Sequence, residues 1–362
     1  MRLPNFRDLS VEQDRIYNLP LTTNHLVTGP PGTGKTVIAL YRASMYAKQK
    51  RKPILLALSK LLTSYTNGAA RELSIAGSVL TYHSWVYRTY RDKFKANPPE
   101  KEKFIYDWGK MTPELILAFA TDPAKPCLLI DEGQDLPPEF YTAASFMTDQ
   151  LTVFADENQR ITSTQSTFAD IKTRGNISKE HKLTRNYRNS REIAEVAAYF
   201  YAGLPTGKPD LPDRRGNLPV VKETAHIDAA IEFITTFESN NSHLQIGIFT
   251  KGHALQGLIQ KKLEGKTKNP VQAYQSGNDA IPDFDSPGIK LVQFQSAKGL
   301  EFDAVFIPEV NQLQLDLEAL DTKMMFYVLL SRAREHLFIT YSGTDKPKLL
   351  KLFPDELVEW RK

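Results

Sequence analysis

Short apolar runs alternate with segments of helical period along almost the whole chain. His25–Thr28, Ile54–Leu58, Val79–Thr81, Cys127–Ile130 and Leu151–Ala155 are short, largely apolar and bounded by turn residues, so they predict buried strands. Thr36–Lys48, Lys60–Glu72 and Pro138–Phe146 predict the helices between them. Such alternation implies βαβ units and largely parallel sheets covered on both faces. The pattern restarts after about residue 178. Strands are expected at Val220–Glu223, Ile246–Phe249, Val271–Gln275, Ile289–Val292, Asp303–Ile307 and Leu337–Thr340. Helices are expected at Ser190–Ala202, Ile227–Phe237, His253–Leu263 and Lys323–Leu330. The fold class is therefore α/β with two tandem domains, 1–178 and 179–362, the boundary lying near Arg174–Lys182. Gly203–Leu218, rich in Pro and Gly (Pro205 among them), is expected to be a loop within the second half.

One segment breaks the alternation. Between Tyr87 and Lys125, Arg88, Arg91, Lys93, Lys95, Lys101 and Lys103 interleave with Tyr90, Phe94, Phe104, Tyr106 and Trp108. A small helical insertion is expected there. Two readings stay open: a surface for single-stranded nucleic acid, with charge on phosphates and rings under bases, or a solvated helical pair whose aromatics face the core.

Composition narrows the class. Over 362 residues, 41% hydrophobic and 24% charged is ordinary globular usage, which excludes disordered and fibrous chains. No apolar run approaches the ~20 residues that cross a bilayer, and the N-terminal stretch MRLPNFRDLSVEQDR is too polar for a secretory signal. The single cysteine, Cys127, rules out a disulfide framework or a multi-cysteine metal site. A net charge of +4 permits a polyanionic partner without requiring one. A soluble, cytoplasmic protein is expected.

The chemistry is concentrated in a few motifs. Gly29-Pro30-Pro31-Gly32-Thr33-Gly34-Lys35-Thr36 fits GxxxxGK[ST] between a strand and a helix. In that setting glycines let backbone amides wrap phosphates, Lys35 neutralises the β/γ oxygens and Thr36 ligates Mg²⁺. The apolar strand Leu128–Ile130 ends in Asp131 and Glu132. At the carboxyl edge of a parallel sheet these face the ligand crevice; Asp131 would hold the Mg²⁺ shell and Glu132 would polarise the attacking water. Mg·NTP hydrolysis follows from the two motifs together. Gln159, with Asp156 nearby, follows the next strand and could orient water or sense the γ-phosphate. Arg188 and Arg332 could act as arginine fingers or be ordinary surface arginines.

Taken in order, Gln13, GPPGTGKT (29–36), TYHSW (81–85), IDEGQD (130–135), ADENQ (155–159), LTRNYR (183–188), SAKGLEFDAVF (296–306) and LLSRAR (329–334) resemble superfamily 1 helicases of the UvrD/Rep/PcrA group over nearly the whole chain. The resemblance implies two RecA-like domains with ATP bound between them. It also implies that Gln13 reads the adenine edge, Tyr187 stacks on adenine, and Glu301 and Gly299 lie near the ribose. Gln159 would sense the γ-phosphate, and Arg188 and Arg332 would be the fingers. Thr81 and His83 would touch the nucleic-acid strand, with Ser59 and Gln295 also among the expected contacts. For Thr81 and His83 a strand end and a helix cap are the alternatives.

The chain departs from the family pattern at several points. Thr164 stands where a base-wedging Trp is usual, Gln295 where His is common, and Val37 where Arg is frequent. Tyr82 or Trp85 could replace the lost ring or belong to the core. The first inserted domain shrinks to Tyr87–Lys125 and the second is essentially missing. The expected activity is that of a 3′→5′ single-stranded-DNA motor using ATP and Mg²⁺. Its rivals are a DNA-stimulated ATPase serving a nuclease or other effector, and an ATP-gated interaction module that uses no nucleic acid.

Overall fold

The computed structural model describes residues 3–159, 166–201, 203, 206–275, 280–343 and 345–362. Thr164, Ala202 and Pro205 lie outside the described residues. By internal contacts the chain forms two compact units: Met1–Pro30 with Gly34–Thr184, and Arg185–Lys362 with Pro31–Thr33.

The first unit holds strands β1 (His25–Thr28), β2 (Pro53–Ala57), β3 (Val79–Thr81), β4 (Glu100–Glu102), β5 (Ile105–Tyr106), β6 (Cys127–Ile130), β7 (Gln150–Ala155) and β8 (Lys179–Lys182). Its helices are α1 (Val11–Tyr17), α2 (Lys35–Lys48), α3 (Lys60–Glu72), α4 (Tyr82–Phe94), α5 (Trp108–Phe119), α6 (Pro138–Met147) and α7 (Phe168–Arg174). Six strands form one sheet in the order β3-β2-β6-β7-β1-β8, every neighbouring pair parallel. The strands β1, β6 and β7 are buried throughout because helices cover both faces.

Lys179–Lys182 joins this first sheet through β1, so the contact boundary falls after Thr184 and not at 178. Charged and exposed, KEHK carries no strand signal of its own; it pairs because β1 offers it a free edge.

The insertion departs from the expected all-helical form: α4 and α5 flank an antiparallel hairpin of β4 and β5. Tyr90, Tyr106 and Trp108 are buried with Tyr82 and Trp85 in one aromatic core. For Trp85 and Tyr90 the core reading holds, whereas Tyr82, Tyr106 and Trp108 are buried in that core and also border a cavity. Tyr82 and Trp85 are therefore not exposed substitutes for a base wedge.

The second unit holds β9 (Val220–Thr224), β10 (Gln245–Thr250), β11 (Val271–Ala273), β12 (Gly288–Gln293), β13 (Phe302–Ile307), β14 (Ala333–Ser342) and β15 (Glu359–Arg361), with α8 (Arg191–Tyr199), α9 (Ile227–Asn240), α10 (His253–Leu263) and α11 (Leu320–Leu330). Its sheet runs β11-β12-β10-β13-β14-β9-β15, again parallel throughout. The two units are tandem RecA-like α/β domains. No helix among the described residues is long and apolar enough to cross a membrane.

Candidate nucleotide and nucleic-acid sites

The strongest site grows from the carboxyl edge of the first sheet. β1 runs into the loop Gly29–Gly34, and Gly32 and Gly34 take positive φ (83° and 87°), which glycine alone adopts without strain. Gly34 then starts α2. Its missing side chain matters for a second reason, since a Cβ there would fall 2.5 Å from Gln13 Nε2. Gln13 is thereby held against the phosphate loop. Its Oε1 accepts from Ser10 N at 3.0 Å while Ser10 Oγ accepts from Gln13 N at 3.2 Å, a capping box that fixes α1.

Lys35 is buried and folds back over the loop, donating from Nζ to Gly29 O at 2.5 Å and Pro30 O at 3.1 Å. These carbonyls hold the ammonium in the cradle where phosphate oxygens would take it up. Thr36 Oγ1 donates to Asp131 Oδ2 at 2.6 Å. Asp131 is held above the usual carboxylate range by burial first and by Glu132 second, with Thr36 and Lys35 pulling the other way. Asp156 is raised by burial and partly offset by Lys35 and Gln159.

Hydrogen bonds join the remaining groups. Gln134 Nε2 donates to Glu132 Oε2 at 2.7 Å, while Gln134 Oε1 accepts from Asp156 N at 2.9 Å. Gln159 Nε2 donates to Asp156 Oδ2 at 2.6 Å. Glu132 sits at φ 56°, a strained conformation for a non-glycine residue, and this backbone turn opens the 3₁₀ segment Gly133–Asp135. Gln134 and Asp156 were not assigned roles from sequence, although both lie inside the quoted motifs. Their position as the hub of this network is a tertiary fact.

A hydroxyl and a carboxylate, both hard oxygen donors and joined by a hydrogen bond, fit Mg²⁺, which takes few protein ligands and completes its shell with phosphate and water. Among the described residues no group of three or more His, Cys, Asp or Glu could hold a metal by itself.

In the second unit, Arg188 Nη2 donates to Glu301 Oε1 at 2.6 Å. Burial alone would raise Glu301, but Arg188, Arg334 and Arg332 outweigh it and hold the carboxyl below its ordinary range. Arg332 is only 1% exposed. It donates from Nε to Val328 O at 2.9 Å, from Nη1 to Leu300 O at 3.4 Å and from Nη2 to Ser331 Oγ at 3.0 Å. Its guanidinium is thus engaged by the carboxyl end of α11 and by the segment that precedes β13. Arg334 is more open, with Asp303 at 3.9 Å. Tyr187 is 43% exposed and Arg185 lies 5.9 Å from its ring centre. Gly299 occupies a turn at φ 77° beside Glu301.

Two of the expected nucleic-acid contacts have a local task. Thr81 Oγ1 accepts from Ser84 N at 3.2 Å and caps α4. Ser59 Oγ accepts from Leu62 N at 3.1 Å and caps α3. His83 and Gln295 are exposed. Ser59 and Thr81 lie at the carboxyl ends of β2 and β3, and Gln295 follows β12, so each stands on the edge where α/β sheets bind ligands.

The fold and the phosphate-loop constellation define a P-loop protein built from tandem RecA-like domains. A family model described as an AAA domain matches residues 15–165, and one described as a UvrD-like helicase C-terminal domain matches 291–340. Both matches point to the UvrD-like superfamily 1 helicases, which the chain resembles. It is 31% identical over 105 residues to the ATP-dependent DNA helicase UvrD1 of Mycobacterium leprae, covering 24% of this chain and 14% of that protein. It is 43% identical over 61 residues to a probable DNA helicase II homolog of Mycoplasma pneumoniae, covering 14% of this chain and 8% of that one. The alignments thus span only a small part of these relatives' length. Among solved structures, the C-terminal domain of a possible DNA helicase from Lactobacillus plantarum WCFS1 aligns at 23% identity and TM-score 0.37, covering 48% of this chain and 98% of that one. Arterivirus nonstructural protein 10, a helicase, aligns at 13% identity and TM-score 0.43, covering 94% and 64%.

Proposed function

We propose that the chain is an ATP-hydrolysing motor on single-stranded DNA, of the 3′→5′ UvrD-like type. The observation that carries this reading is the buried network Lys35, Thr36–Asp131, Glu132–Gln134–Asp156 and Gln159 at one sheet edge. It joins a phosphate cradle, a cation seat and a water-orienting carboxylate. In-line phosphoryl transfer asks for little more than such positioning and charge.

Lys35 leaves the loop carbonyls for the β/γ oxygens, and Glu132, oriented by Gln134, accepts the proton of the attacking water. Gln159 on Asp156 registers the γ-phosphate. Bound Mg²⁺, seated by Thr36 and Asp131, would neutralise charge on the β/γ oxygens. Gln13 is assigned to the adenine edge, Tyr187 to its face, and Gly299 with Glu301 to the ribose side. Arg188 and Arg332 are assigned as fingers, each giving up its present acceptors to reach the transferring phosphoryl group. Thr81, His83, Ser59 and Gln295 are assigned to the strand.

The test is ATP turnover measured with Mg²⁺, with and without single-stranded DNA at low salt. Stimulation by the strand supports the motor, and its absence leaves an ATP-gated interaction module. A forked duplex carrying a 3′ tail then separates unwinding from translocation in the service of a nuclease or other effector.

A further inference from the structure

A second concave site lies on the same sheet edge, away from the phosphate loop. It is a cavity of about 370 Å³ walled by Tyr82, His83, Phe104, Tyr106 and Trp108. Three neighbouring strands open into it: Leu58 follows β2, Tyr82 and His83 follow β3, and Asp135 and Leu136 follow β6. The phosphate loop follows β1, with β7 between β1 and β6. The site is separate from the ATP cradle yet shares one element with it, because the segment after β6 supplies Asp131 and Glu132 to one and Asp135 to the other.

Three of the four ring pairs are edge to face and His83–Tyr106 is tilted. His83 lies 5.5 Å from Tyr106 and 6.1 Å from Phe104, and Tyr106 lies 6.0 Å from both Tyr82 and Trp108. Tyr106 Oη donates to His83 O at 3.1 Å, tying β5 of the hairpin to α4. Phe104 is the unusual member. It stands at the hairpin tip, 64% exposed, at φ 67°. Tight hairpin turns with positive φ favour Gly, Asn or Asp, and an aromatic there is strained. An exposed, strained ring at the mouth of an aromatic pocket is costly for an unliganded surface and useful for stacking.

The polar lining selects the occupant. Lys101 stands at the mouth and Asp135 and Glu139 face the cavity, while Lys103 lies 5.4 Å from the Phe104 ring. Flat aromatic walls take a base, carboxylates accept from an exocyclic amine, and lysines outside meet the phosphate backbone. We propose that this pocket receives one unstacked, amine-bearing nucleobase of the bound single strand, capped by Phe104. This rests on the single-strand reading above.

The test compares binding of oligodeoxycytidylate with that of a backbone-matched abasic oligonucleotide, by fluorescence anisotropy at low salt. The wild type should prefer the base-bearing strand by about tenfold or more, the worth of a base–aromatic stack. Phe104→Ala should remove most of that preference while leaving abasic affinity unchanged; the unchanged abasic affinity also reports an intact fold. Glu139→Gln should narrow the preference for oligodeoxycytidylate over oligothymidylate. If Phe104→Ala leaves the preference intact, or weakens both strands equally, the pocket assignment is overturned and the strand reading survives. If the wild type binds neither strand, both fall, and a peptide becomes the occupant to seek.

Discussion

Lys35 and Asp131 illustrate how a few side chains carry the proposed chemistry. The ammonium rests on carbonyls of its own loop, ready to exchange them for phosphate oxygens at little reorganisation cost. Lys35→Ala should therefore abolish ATP turnover while DNA binding remains measurable by anisotropy; retained turnover would mean that the loop is misassigned. Arg332→Ala should lower kcat by roughly 10³-fold or more if it is a finger. A near-normal kcat would shift that role to Arg334, the more open cation beside Glu301. His25 offers a test of stability instead of activity. It is fully buried, with Nε2 2.8 Å from Pro20 O and Nδ1 3.2 Å from His181 Nε2. Burial, helped by Arg42, His181 and Lys179, lowers its pKa to about 4 despite the Pro20 bond. The neutral form is the folded form, so stability is present above the unfolded value near 6.5 and is lost as pH falls towards 4. Urea midpoints should drop between pH 7 and pH 5, and His25→Gln should flatten that dependence.

At the scale of elements, helix α1, which carries Gln13, is short and could not stand alone in water. Its hold comes from Arg42 on α2. The Arg42 Nη1 donates to Ile16 O at 3.0 Å, Tyr17 O at 2.9 Å and Leu19 O at 3.1 Å, closing the carboxyl end of α1. The phosphate helix therefore fixes the element that carries Gln13. Arg42→Ala removes this donor from all three carbonyls and opens a cavity, a loss of about 3 kcal/mol or more. Denaturant unfolding should register it, and amide exchange should rise first in α1. Element boundaries were legible at several places: β1, β3, β6, α3 and α10 have the bounds that the sequence pattern predicts. The charged edge strands β8 and β15 and the β4–β5 hairpin were not, since an exposed edge leaves no alternation to read. The hydroxyls of Thr81 and Ser59 cap helix ends, and a helix cap was among the alternatives left open in the sequence for Thr81 and His83.

Across the whole molecule, binding to a single strand should be chiefly electrostatic, with affinity falling linearly on a log–log plot against salt. A salt-independent affinity would contradict that reading. The sequence by itself determined the α/β class, the phosphate loop, the acidic strand end and the family resemblance, because these depend on residue type at short, fixed spacing. Tertiary structure alone decided which polar groups meet: Gln134 and Asp156 between Glu132 and Gln159, Arg332 given to two backbone carbonyls and a hydroxyl, and the rings of the insertion packed in a core that also borders a pocket. Those outcomes depend on which strands lie side by side and which groups lose water. Parallel pairing brings together residues far apart in the chain, and no local pattern records that choice.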